Sequence, residues 1–141
     1  MNPWDRSHLS DEELVRSLQT NSDRLRKSTA ETLKHIAEID AREAYREAGF
    51  DSMLEYCERE LNMDEAPESI LAARASRRCP RVIDAIAEGR TDVTVVALLA
   101  PYLTLENADE LIQLAGLKNQ AGVLEAIVLL GAFPDHQCRD E

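Results

Sequence analysis

The side chains that could do chemistry in this 141-residue chain are few, and most stand apart from one another. Histidine occurs at His8, His35 and His136, and cysteine at Cys57, Cys79 and Cys138, with no CxxC pair. A structural or catalytic metal site needs three or four convergent donors. Around His35, the i+3 and i+4 positions hold Glu38 and Ile39, so no second nitrogen or sulfur ligand follows at helical spacing. His136 and Cys138 form an HxC element inside the polar end DHQCRDE, a spacing that is weak evidence for a metal and fits a disordered tail over 134–141. The odd cysteine count argues against a disulfide framework, and the thiols are read as reduced. Carboxylates adjoin at Glu12 and Glu13, near each other at Glu58 and Glu60, and adjoin at Asp109 and Glu110. Adjacent helical residues diverge by about 100°, so these read as solvated faces and not as an acid and base pair. No Gly-rich phosphate loop or nucleophile elbow is present. The expectation is a chain without catalytic residues, cofactor or metal.

Arginine is the exception. Residues 1–69 carry nine basic and seventeen acidic residues, and residues 84–141 three and ten, whereas residues 70–83 carry four arginines and no acid. The chain's net charge of −11 is thus a sum of −8, +4 and −7. Arg74, Arg77 and Arg78 stand at i, i+3 and i+4 on one helical face, and Arg81 follows just past the helix end. Guanidinium forks suit phosphate and carboxylate oxygens alike. Two readings follow: a strip that contacts a DNA backbone weakly, or cations that complement a helix C-terminus and pair with neighbouring acids such as Glu58 and Glu60.

The elements that must position these residues are all helices, since strand-like alternation is nearly absent. Ser10 and Glu13 form a capping box, after which Leu14, Leu18, Leu25, Thr29, Leu33, Ile36 and Ile39 recur as one stripe. This predicts a long first helix from Asp11 to about Ala44, bent near Asn21 and Ser22 and stopped by a left-handed Gly49. Asp51 or Ser52 caps the next helix, running to Leu61. A third starts at Asp64, tolerates Pro67 in its first turn and ends before Pro80. Short helices follow: one closed by Gly89, one capped by Thr91 or Asp92 and reaching Leu103, one from Thr104 to Gly116, and a last from about Asn119 to Ala132. In the last, Val123, Leu124, Ala126, Ile127, Val128, Leu129 and Leu130 leave few polar positions, more apolar surface than a terminal helix of a small monomer needs. The fold class is therefore all-α: a long N-terminal helix and a compact bundle of five to six short helices, with a flexible 1–10 segment and one domain over 11–133. Residues 1–10 lack the apolar stretch of a signal peptide, and the longest apolar run, 93–105, is too short for the roughly 20 residues that span a bilayer. A cytoplasmic protein without membrane contact is expected.

The runs GFDSMLEYCERELNMDEAPESILAARASRRCP, AIAEGR and ALLAPYLTLENADELI, preceded by LSDEEL and IAEIDAREAY, resemble the helical N-terminal region of bacterial HNH endonucleases of the myxobacterial type. The resemblance covers most of the chain. It implies a nuclease module further on, with paired CxxC elements and catalytic histidines, and these 141 residues hold none of that apparatus. It also implies a helix-turn-helix-like pair: Ser52 to Leu61, a turn at Asn62 and Met63, and Asp64 to Arg78. Where the family carries a tyrosine and two arginines, this chain has Pro67, Glu68 and Ser69. Glutamate repels phosphate and proline removes a donor. The arginines Arg74, Arg77 and Arg78 match family positions, which leaves a weak contact to the DNA backbone as the first functional expectation. A protein-interaction or dimerisation module, using the long first helix and the apolar last one, is the second. A truncated nuclease remnant without activity is the third.

Overall fold

A computed structural model describes residues 3–116 and 120–130. His136, Cys138, the 134–141 tail, Asn119 and residues 131–133 lie outside the described residues. Helix α1 (Asp11–Arg42) begins where the Ser10 hydroxyl accepts from the Glu13 N–H at 3.1 Å and the Ser10 N–H donates to Glu13 Oε1 at 2.9 Å. With Asp11, Glu12 and Glu13 in its first turn, the positive end of the helix dipole meets negative charge. The helix runs unbroken past Asn21 and Ser22 for 32 residues. It stops earlier than expected. Glu43, at φ 54°, takes the left-handed cap, and its N–H donates to the Asp40 carbonyl. A 3-10 turn over Ala44–Arg46 then turns Tyr45 into the core. Gly49, at φ 94°, provides the left-handed residue in the loop beyond that turn.

Helix α2 (Met53–Glu55), capped by the Ser52 hydroxyl on the Glu55 N–H, continues as a π turn over Tyr56–Glu60. Left-handed Asn62 and Glu65 carry the chain round into α3 (Ala66–Arg78), which starts two residues later than expected, with Pro67 in its first turn. Helix α4 (Arg81–Ala87) follows Pro80 and ends before Gly89. Asp92 caps α5 (Val93–Leu99), accepting from the Val95 N–H at 2.9 Å, and a 3-10 turn over Ala100–Tyr102 follows. Thr104 and Asn107 bond each other's N–H groups before α6 (Ala108–Ala115), which ends at Gly116, a glycine at φ 51°. Helix α7 is Gln120–Leu130. Among the described residues there is no strand, and no helix is long and apolar enough to cross a membrane.

Helix α3 is the middle of the molecule. Ala72, Ala73 and Ala75 are fully buried, and their small side chains let α1 approach on one side and α5 on the other. Helix α1 contributes Leu33 and Ile36, α5 contributes Val95, Val96 and Leu99, and α6 contributes Leu111 and Ile112. Helix α7 closes the far end against α5 and α6 through Val123, Ala126 and Ile127. Each large aliphatic side chain so buried stabilises the fold by about 1.5–3 kcal/mol.

Candidate functional site

The four arginines lie close in sequence but fan out to three different elements. Arg74 faces α1 and grips Asp40 with two parallel bonds, Nε to Oδ2 and Nη2 to Oδ1, both 2.9 Å. The Asp40 side chain is only 16% exposed, against 55% for Arg74, so the carboxylate is the sheltered member. This bidentate bond raises the Arg74 guanidinium further above its ordinary value. One turn on, Arg77 Nη1 lies 3.5 Å from the Ala37 carbonyl and 3.4 Å from Glu38 Oε1, a looser contact to the same helix. Glu38 is held below the usual carboxylate range, first by Arg42 and then by Arg77. Arg78 turns the other way and donates to the Ala100 carbonyl at 2.9 Å, placing a cation at the C-terminal end of α5, where it complements the helix dipole. Arg81, at the start of α4, pairs with Asp109 in the first turn of α6. The acids engaged are therefore Asp40, Glu38 and Asp109, and not Glu58 or Glu60.

The thiols and histidines among the described residues give no constellation. Cys57 and Cys79 are buried, and burial pushes both thiols up, with Asp40 and Glu58 adding to the shift at Cys57. His8 is exposed, and His35 Nδ1 lies 2.8 Å from the Glu31 carbonyl one turn back on its own helix. Among the described residues no group of three or more His, Cys, Asp or Glu side chains is placed to hold a metal ion.

A second surface emerges that the hydrophobic stripe of α1 concealed. The stripe is buried only over its second half: Leu33 is 1% exposed, whereas Leu18 is 67% and Leu25 69% exposed, with Leu14 and Val15 also open. Every residue from Asp11 to Asn21 is exposed. At 1.5 Å per residue α1 is about 48 Å long, and α3 and α4, the helices it packs on, have 13 and 7 residues. The bundle is too short to cover it. Helix α7 is likewise divided, with Leu124, Val128 and Leu129 on an exposed outer side opposite its buried face. The run of apolar residues in α7 was legible in the sequence. The bareness of Leu14, Leu18 and Leu25 was not, because periodicity marks a helix face and not its neighbour.

Comparison with family models, with curated proteins and with solved structures finds no match to this chain.

Proposed function

We propose that this chain is a helical association module, contacting protein through the bare apolar residues of α1 and α7 and carrying out no hydrolysis itself. The observation that carries the reading is the exposure of Leu14, Leu18 and Leu25 on α1 and of Leu124, Val128 and Leu129 on α7. Large apolar side chains left bare at recurring positions on one helix face, rather than scattered singly, point to an interaction site. The arginines support it from the other side. Each already has an acceptor within the chain, and α3, packed between α1 and α5, offers a nucleic acid only a narrow outer strip that opens with Pro67. Contact with a DNA backbone would spend Coulomb energy to undo those pairs on a chain of net charge −11. The reading also accommodates the resemblance to the helical N-terminal region of HNH endonucleases, since a region without hydrolytic groups contributes by binding.

Light scattering of the full chain between about 10 µM and 1 mM tests it, a range set by the affinities of small interfaces. Mass should rise with concentration, and the rise should vanish when Leu18 and Leu129 are both replaced by Glu. A strict monomer at 1 mM overturns self-association through these residues. Retention of duplex DNA at low salt, lost in an Arg77→Ala/Arg78→Ala variant, would put the DNA-backbone reading in its place.

A further inference from the structure

The bare half of α1 is held firmly at its tip and weakly at its root. At the tip, Ser10 and Glu13 bond each other's N–H groups, and Arg16 pairs with Glu12. At the root stand Thr20, Asn21, Ser22 and Asp23, four consecutive residues whose short polar side chains compete with the helix for its backbone groups. Thr20 does so here. Its hydroxyl donates to the Arg16 carbonyl at 3.0 Å, a back-bond of the kind that slightly destabilises a helix.

The bundle takes hold just beyond. Arg26 lies over Gly89, where even a Cβ would come within 2.9 Å of its Nε, and Ala30 is the first buried residue of the helix. The Arg26 contact is a poor clamp: its Nε is buried without a hydrogen-bond partner in the chain, and its guanidinium pairs with Asp23 on its own helix. A break at Thr20–Asp23 would leave only residues 11–19 helical, fewer than the roughly 12–15 that an isolated helix needs in water. The tip therefore cannot outlast the root. We propose that residues 11–22 are an arm that opens at its root and as one unit, while the bundle from Ala30 onward stays folded. Leu14, Leu18 and Leu25 share one side only while the turns between them are helical, so an open arm has no apolar edge and opening switches that edge off as a contact surface. This consequence rests on the association reading above; the opening itself rests on the fold alone.

Hydrogen exchange of the full chain, read by mass spectrometry with fragmentation, tests the opening at about 1 µM, below the range in which small interfaces form. Amides of residues 14–19 should exchange faster than those of Leu33, Ile36 and Ala37. Sub-denaturing urea should leave their rates unchanged, because opening the arm exposes little surface. Thr20 is exposed and, at about 100° per residue, lies on the far side of α1 from Leu14, Leu18 and Leu25, so changes there leave the apolar edge untouched. From Thr20→Ala through wild type to Thr20→Gly, exchange at 14–19 should rise over about a fivefold range, the Ala-to-Gly difference in helix propensity. It should rise in step with exchange at 20–24 and leave Leu33, Ile36 and Ala37 unchanged. Quickening at 20–24 without quickening at 14–19 overturns root opening in favour of fraying from the tip. Exchange at 14–19 that matches Leu33 and shifts together with it overturns an independent arm. Neither result touches self-association, whose failure shows separately as a strict monomer at about 1 mM.

Discussion

Replacing Arg74 by Ala separates a structural arginine from one held ready for an external anion. The pair it forms with Asp40 is unequal: the carboxylate is 16% exposed and the guanidinium 55%. Truncating Arg74 therefore strands a sheltered carboxylate, while truncating Asp40 frees a guanidinium that water can reach. Fully exposed ion pairs contribute roughly 0–1 kcal/mol, and breaking a fully buried one costs about 3–5 kcal/mol. A bidentate pair with one sheltered member falls low in that interval, so Arg74→Ala should cost about 1–2 kcal/mol and Asp40→Ala about half as much. For a domain of this size that lowers Tm by roughly 3–6 °C.

The assay is urea unfolding of the wild type, both single variants and the double variant, with coupling taken from the cycle. The double variant should be no worse than Arg74→Ala alone, giving a coupling energy near 1 kcal/mol. An Arg74→Ala variant within about 0.5 kcal/mol of wild type, the range of inconsequential surface changes, with no coupling, would refute the reasoning. Arg74 would then not clasp α1 to α3, and its fork would be available to a phosphate after all.

Three further outcomes follow from the ends of α1 and α4. Ser10→Ala removes an N-cap bond worth about 1 kcal/mol, but the turns it stabilises have no cover. Amide exchange over residues 11–20 should therefore quicken roughly fivefold, while the global urea midpoint scarcely moves. Glu13, lowered from its ordinary 4.5 by the Ser10 bonds, adds a pH dependence. A depressed folded value stabilises above the unfolded one, so protection of the first turn holds above about pH 4.5 and is lost as pH falls through the folded value, and Glu13→Gln should flatten that response. Gly89→Ala meets two penalties, a φ of +80° and a Cβ placed 2.9 Å from Arg26 Nε. It should cost about 1–2 kcal/mol by urea unfolding. Combination with Arg26→Ala should recover the steric part and leave the backbone part, and a full recovery would refute the claim of backbone strain.

Local signals carried the fold well because helix ends are decided locally. Ser10 with Glu13, Ser52 and Asp92 cap where their side chains reach an N–H three residues on, and Gly89 and Gly116 stop helices through their own φ. The exception at the end of α1 has a local cause as well. Glu43 adopts the left-handed state that a glycine was expected to supply, with its carboxylate bonded to Arg46 Nε at 2.8 Å and the following turn committed to burying Tyr45. The arginines were recognisable as a cluster but not by destination. Arg74 and Asp40 are 34 residues apart, and Arg81 and Asp109 are 28, separations over which charge spacing along one helix says nothing.

The same limit explains the bare half of α1. From Leu14 to Ile39 apolar residues recur along one face of α1, with a polar gap at Asn21 and Ser22, and the sequence of α1 alone reads as one buried stripe. Where that stripe becomes bare is set by the lengths of other helices, chiefly the 13 residues of α3 and the 7 of α4, which pack on the second half and leave the first. A helix that only needed to complete this bundle could begin nearly five turns later, near Ser28, and still bury Leu33, Ile36 and Ala37. The added turns cost backbone entropy at every residue, and isolated helical turns of that number are marginal in water. They are nevertheless capped at Ser10 and carry Leu14, Leu18 and Leu25 bare along one edge, and that edge, which the bundle does not cover, is the observation on which the association reading stands.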